Sequence, residues 1–540
     1  MESKGSECIV IHLGSQNLRI GFAHQMAPYT VPNVIAYRQE AAKPSLPIPK
    51  CGAGPENLFK AYSIVQNYLQ NTGFLKDQVP KIVLPTKRTS KQEDAESQVE
   101  IDCMPQPPDI SQNPPFLVGE EAYNLSPDQP YEKHFPILRG HFNVNKTQSW
   151  WTVVNDLERI LEYSATRILK IPRDMFSQFS VVLLVPDAFF KEQVKTTVNI
   201  LLKFLGFRSI FLIQESISAI FGAGVPSACV VDIGAAHMNV VCVEEGIILP
   251  KTHVRQLYAG SDIDLLLLRV IEKLSTEEKN QLRVVEAIKK NACRFVQEEN
   301  AVTYNCKHLE GAFKLSSSSP ALVISCHSLF HASLLEISSG APEVPLTLHP
   351  AFAYDTDDYL EDLIETKVES VPHPTIEKTL SLDQMIIRSI TLIEQPETRK
   401  KMANCILLTG GGGKFPDLLD ILEDRLINRF PEDTNIERVE VKSSVTHSDS
   451  EGNKETIPAD HVKWVGGTVL PFLESAKELW ISRSRWVGEW HPAEAKEELM
   501  ANFVSFENPY QLAERCRKWR RDRPLEGGVR HIKEKSIFTW

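Results

Sequence analysis

The feature that most restricts how this chain can fold is a pattern stated twice. His12-Leu13-Gly14-Ser15-Gln16-Asn17-Leu18-Arg19-Ile20-Gly21 reads as strand, Gly-Ser turn, strand. Far along the chain, Val231-Asp232-Ile233-Gly234-Ala235-Ala236-His237-Met238-Asn239-Val240 reads the same way. A glycine opening such a turn lets backbone amides approach an anion with no Cβ in the way. Two hairpins of this kind, one per lobe, would clamp a polyphosphate between them, although either alone is an ordinary β-turn. A third element adds specificity. Leu408-Thr409-Gly410-Gly411-Gly412-Gly413-Lys414-Phe415-Pro416 follows an apolar strand and opens a helix striped by Leu418, Leu419, Leu422 and Leu426. Four successive glycines suit close approach of a nucleotide to the backbone and to a helix N-terminus. The run lacks the Gly-Lys-Ser/Thr ending of a Walker loop.

Around these elements, strands and helices alternate as in a mixed α/β sheet fold. Ser180 to Val185 and Ser209 to Ile213 read as strands. Val153, Leu157, Ile160, Leu161 and Ile168 fall on one helical face, and Val194, Val198, Leu201, Leu202 and Leu205 stripe another. Residues 39–115 and 337–377 lose this patterning and read as surface insertions, the first mobile apart from short pieces. The second holds the acidic run Asp355 to Asp362, either a solvated loop or a docking segment for a basic partner.

The net charge of -11 gives no global attraction to nucleic acid. The ten cysteines are scattered with no CxxC pair, as expected of buried free thiols in a reducing compartment. The polar start carries no signal-peptide pattern, and no apolar run approaches the roughly 20 residues that span a bilayer. The expectation is a soluble, intracellular protein with no membrane contact.

In order and spacing, the two hairpins and the glycine run resemble the actin, sugar-kinase and heat-shock ATPase superfamily. Further segments narrow the resemblance to the actin family. Leu212-Ile213-Gln214-Glu215-Ser216 resembles the segment carrying that family's water-positioning glutamine, and Ala259-Gly260-Ser261-Asp262 its Gly-x-Asp. Trp464-Val465-Gly466-Gly467-Thr468-Val469-Leu470 and Glu478-Leu479-Trp480-Ile481-Ser482 resemble its C-terminal segments. Leu117 to Ala122, Pro136 to Gly140, and Gly528-Val529-Arg530 with Trp540 are similar to a nuclear actin-related subfamily. The resemblance implies an α/β, actin-like (ribonuclease H-like) two-lobed ATPase fold with a central nucleotide cleft. Residues 1–221 would form the first lobe and 222–463 the second, and 464–540 would return to the first with a basic extension.

The same resemblance assigns the site. Gly14, Ser15, Arg19, Asp232, Gly234, Lys289, Gly410, Gly411, Gly412, Gly413 and Phe415 would contact ATP. Asp232 would support Mg²⁺ through water, and Gln214 would be a vestigial water-positioning group. Several positions depart from the family. His12 replaces a metal-side aspartate, Ala235-Ala236 an Asp-Gly, Asn239 a histidine near the attacking water, and Lys290 an acidic residue by the adenine. Removing one well-placed electrostatic group commonly costs about 10²–10³-fold in rate. The expectation is therefore ATP binding with slow or absent hydrolysis. His12 has a second reading, as a histidine packed within its strand.

The implied setting is the nucleus. There the chain would be a scaffold subunit of an INO-eighty type chromatin remodeller, with actin and another actin-related protein on a helical segment of the remodelling ATPase. Nucleosome or linker DNA is a further implied partner, and filament formation is not expected. Within 487–526, Arg515, Arg517, Lys518, Arg520, Arg521 and Arg523 surround Trp519. They read either as a phosphate-binding helix or as a solvated face beside Glu494, Glu497, Glu498 and Glu514. The subfamily's basic N-terminal tail has no counterpart before Cys8, which weakens a direct DNA contact. An active ATPase or small-molecule kinase, and a cytoskeletal actin, remain the alternatives.

Overall fold

The computed structural model describes residues 7–39, 97–102, 113–334 and 380–488, with breaks at 126–128, 145–147, 190, 250, 271–280, 296–301, 308–312, 317–319, 332–333, 435, 444 and 449–453. The segment read as an insertion at 337–377 lies outside the described residues, as do most of 39–115 and of 487–526. Within the first of these, Ser97–Asp102 is a strand that pairs in parallel with Val302–Lys307.

Short apolar runs build two sheets with the same internal order. In the first, Cys8–Leu13 pairs antiparallel with Asn17–Phe22, which in turn carries Tyr29–Pro32. On its other side it runs parallel to Ser180–Val185, itself parallel to Ser209–Gln214. In the second, Ser227–Ile233 pairs antiparallel with Met238–Glu244, which carries Ile247–Ile248 and Val254–Gln256. Its other side runs parallel to Ile406–Thr409 and then Val441–Lys442. The first sheet gains one more antiparallel edge strand, Ile481–Ser482. Every residue of Ser180–Val185 and of Ser227–Ile233 is buried. That burial explains why they read as unbroken apolar runs, since a central parallel strand is covered on both faces.

The helices follow their apolar stripes with one exception. Ser149 caps Trp150–Tyr163, its hydroxyl accepting from the Thr152 amide at 3.2 Å, and Val153, Leu157, Ile160 and Leu161 are buried. Ile168 falls outside the buried set because residues Ser164–Ile168 widen into a π turn, which rotates Leu169 inward instead. Lys191–Asn199 widens in the same way over Ile200–Phe204 and still buries Val194, Val198, Leu201, Leu202 and Leu205.

Each sheet has a core on its outer face, and a third core lies between the sheets. Val10, Val182, Leu184 and Phe211 of the first sheet meet Val230, Val241 and Leu407 of the second there, around Trp464. Two short helices, Glu215–Ala223 and Val462–Gly467, cross within this layer with their backbones in contact. A Cβ on Gly466 would lie 1.6 Å from the Ser218 carbonyl oxygen, and one on Gly222 would lie 2.0 Å from that of Val462. Ser218 donates its hydroxyl to the Lys463 carbonyl at 2.6 Å, and the Trp464 indole donates to Val10 at 3.0 Å. This crossing joins the two sheets and carries Lys463 to the base of the cleft.

Candidate functional site

The two glycine turns close in the same way. Gly14 donates its amide to the Asn17 carbonyl at 3.0 Å, and Gly234 donates to that of His237 at 3.1 Å. The residues flanking them occupy matching rungs, His12 opposite Arg19 and Asp232 opposite Asn239. The glycine run packs on the second turn. Gly410 has φ +82, and a Cβ there would lie 2.4 Å from the Ile233 carbonyl oxygen and 2.6 Å from Asp232 Oδ1. Gly411 alone of the four meets nothing within 4 Å and leaves the backbone open to the cleft.

One expectation about this run needs correction. Gly411–Lys414 forms a single 3-10 turn, Phe415 packs edge-on against Phe295, and Asp417 takes a left-handed conformation before helix Leu418–Ile427 begins. The glycines therefore approach a ligand by bare backbone, without the amides of the striped helix. Of that stripe Leu418, Leu422 and Leu426 are buried, and Leu419 packs against the core from its edge.

Several contacts fix the residues around the turns, some of them between the two lobes. The Ser15 hydroxyl accepts from the Gly140 amide at 2.9 Å, and Gln16 donates to Glu286 at 2.9 Å. Arg19 reaches Asp460 at 3.3 Å, and Lys414 approaches the same carboxylate at 3.3 Å. Burial opposes ionisation of Asp460, but Arg19 and Lys414 prevail and hold its carboxyl below the usual range. Arg139 extends from its own short hairpin to the carbonyls of Ala236 and Leu257 and to Asp262 at 3.4 Å. Lys289, expected by the adenine, donates to the Gly260 carbonyl at 2.8 Å and pairs with Asp264 at 2.6 Å. It thereby anchors the Gly-x-Asp segment, whose Gly260 and Ser261 amides bond back to Gly234 and Ala235.

Beneath the turns lies a chain of buried charges. The Lys463 ammonium is 3.1 Å from Asp232 Oδ1 and hydrogen-bonded to Glu215, with 5 % of its side chain exposed. Burial would neutralise it, but the two carboxylates outweigh that cost and push its pKa up. Glu215 also accepts from His12 at 3.4 Å. Desolvation favours its neutral form, yet Lys463 and His12 hold it well below the ordinary value. His12 is buried within its strand and kept neutral chiefly by desolvation, in keeping with the packed-histidine reading. Gln214 ends its strand and donates to the Asp187 backbone carbonyl at 3.4 Å. Burial and the nearby Glu215 push the Asp187 carboxyl up to about 7.

These contacts bear on the two expected ligands in opposite ways. His12 Nδ1, Arg19 Nε, His237 Nδ1, Asn239 Oδ1 and Arg255 Nε are buried without a hydrogen-bond partner among the described residues; the first four belong to the two hairpins and Arg255 to the strand beside the second. Orphaned polar atoms around open backbone suit a polar ligand with many acceptor and donor groups. The divalent ion fits poorly. Asp232, expected to support Mg²⁺, instead faces the Lys463 ammonium and the Thr409 hydroxyl at 3.4 Å. No group of three His, Cys, Asp or Glu side chains among the described residues is placed to hold a metal.

Sequence reading missed Glu215, Lys463, Asp460, Asp187 and Arg139 as parts of this site. The signal for Lys463 was a lone charge between Val462 and Trp464 in a segment otherwise apolar or glycine. Glu215 stood next to Gln214 with nothing local to identify its partner.

A repeated three-plus-two sheet, paired glycine turns and a glycine run on the second turn define a two-lobed fold of the actin class. The chain belongs to the actin family, whose profile matches residues 67–489. Among its relatives is actin-related protein 9 of Arabidopsis thaliana, 27 % identical over 561 residues that cover 90 % of this chain and 91 % of that protein. Actin-related protein 8 of Aedes aegypti is also 27 % identical, over 88 % of this chain and 94 % of its own. The solved structure of human actin-related protein Arp8 in its ATP-bound state superposes with a TM-score of 0.70. It is 25 % identical, covering 90 % of this chain and 95 % of that one.

Proposed function

We propose that this chain is a nuclear actin-related protein serving as a scaffold subunit of an INO-eighty type chromatin remodeller. It holds ATP with weak or no hydrolysis and acts in transcription regulation, DNA repair and recombination. One observation carries the nucleotide reading. The backbone frame around Gly14, Gly234 and Gly410 to Gly413 is intact and edged by unpaired polar atoms, while the charges beside it are already matched by other side chains. The ATP-bound state named for human Arp8 supports ATP as the nucleotide. Likeness to actin-related proteins 8 and 9 supports the chromatin role.

In this reading residues 1–221 and 222–463 are the two lobes, and 464–540 returns to the first. ATP bound only to the folded state stabilises the closed form by mass action. The partners are actin, another actin-related protein and a helical segment of the remodelling ATPase, with nucleosome or linker DNA engaged by the assembly. Affinity purification of the tagged chain from nuclei should recover actin together with a remodelling ATPase, and recovery of neither would overturn the assignment. A purified chain that turns over ATP, and loses that turnover in Gln214→Ala, would establish a working ATPase instead.

A further inference from the structure

We propose that the cleft takes its nucleotide polyphosphate without a divalent cation, because Lys463 supplies from within the chain the positive charge that a metal would bring. The inference rests on the nucleotide reading above and specifies the form in which the ligand binds.

The Lys463 ammonium lies 3.1 Å from Asp232 Oδ1, the same atom that a Cβ on Gly410 would approach to 2.6 Å. The tethered cation, the second turn and the glycine run therefore meet at one carboxylate oxygen. A hydrated ion supported by Asp232 would have to sit beside a fixed ammonium, and like charges at that range repel strongly in a partly dry site. Mg²⁺ also demands near-octahedral oxygen ligands, and this carboxylate is already engaged by Lys463 and Thr409.

Lys463 also has little freedom to move away. Its helix is pinned by the Gly466 contact with Ser218, by the hydroxyl of Ser218 on the Lys463 carbonyl, and by the Trp464 indole on Val10. Glu215 also holds the ammonium through Oε2, and its other oxygen, Oε1, accepts from His12.

The ion-paired carboxylates around the two turns are met by side-chain cations: Asp232 and Glu215 share Lys463, Asp460 has Arg19 and Lys414, Asp262 has Arg139, and Asp264 has Lys289. An arriving triphosphate meets carboxylates that are already ion-paired, so no metal is needed to bridge them. Arg19 and Lys414 share a single carboxylate and retain positive charge for phosphate oxygens. An ammonium can neutralise charge, but it does not generate a hydroxide from water as a metal does. Its presence therefore accords with holding a nucleotide more than with cleaving it.

The test uses the full chain stripped of nucleotide, with ATP affinity measured by titration calorimetry in excess EDTA and in excess Mg²⁺. The expected result is two affinities within tenfold of each other. A preference of tenfold or more for Mg²⁺ would overturn this inference and leave the nucleotide reading standing. No binding in either condition would overturn both. In Lys463→Met/Glu215→Gln, which removes the internal pair with side chains of similar size, binding in EDTA should fall at least tenfold and return when Mg²⁺ is added. Unchanged binding in EDTA by a folded double variant would also overturn the inference. The wild-type comparison decides the matter if that variant does not fold.

Discussion

The two glycine turns share a backbone geometry, but the charges flanking them are met in different ways. Beside the first turn, Arg19 lies 11 % exposed and reaches across the cleft to Asp460, which Lys414 also contacts. Beside the second, Asp232 faces inward to Lys463 on a pinned helix. The first arrangement can exchange, because a phosphate oxygen can replace Asp460 as the partner of Arg19. The second is structural, because its cation belongs to the helix crossing that joins the sheets. One turn is equipped to greet a ligand and the other to stay as it is.

Breaking the structural side should have the largest effect. Lys463→Ala leaves Asp232 and Glu215 buried without their cation, and loss of one partner from a buried ion pair costs about 3–5 kcal/mol. Equilibrium denaturation should register a loss of that size, and a loss below about 1 kcal/mol would mean the pair is not structural. Arg19→Gln should act on the other side of the comparison, weakening ATP by roughly 10- to 100-fold, as expected for a charge-assisted hydrogen bond of about 1.5–3 kcal/mol. Its melting temperature without nucleotide should barely move, so a large drop in stability would erase the distinction between the turns. The smallest effect belongs to Lys414→Ala. Its ammonium is about half exposed, and such pairs contribute about 0–1 kcal/mol. Calorimetry should find ATP affinity reduced by no more than about fivefold.

The central strands of both sheets could be read from the chain because strands covered on both faces are mostly apolar, as in Ser180–Val185 and in Ala228 to Val231. Both turns could be read because each glycine sits between two apolar strand patterns, followed by Ser15 in one case and Ala235 in the other. The misreadings have identifiable physical causes. The π turn at Ser164–Ile168 changes the helical period by one residue with no residue type to mark it, so Ile168 packs at the edge of the core and Leu169 takes the buried place. The glycine run was taken to lead directly into its helix, whereas Asp417 interrupts with a left-handed residue that glycine or asparagine more often supplies. Asp232 was assigned to Mg²⁺ by the family resemblance, and no local pattern pointed to its ammonium partner Lys463, more than two hundred residues away. Local pattern carries the period and the turn; the pairing of distant charges is decided only when the sheets meet.

The bond from the Trp464 indole to Val10 has a consequence for how the molecule is made. Val10 of the first strand is made 454 residues before Trp464, and the layer between the sheets stays open until that tryptophan has emerged. The edge strand Ile481–Ser482 must then add to Ser209–Gln214. Contacts this distant along the chain close slowly, and the apolar faces awaiting them are exposed meanwhile. How long the apolar face of the first sheet waits to be covered is therefore set by where that tryptophan sits in the chain.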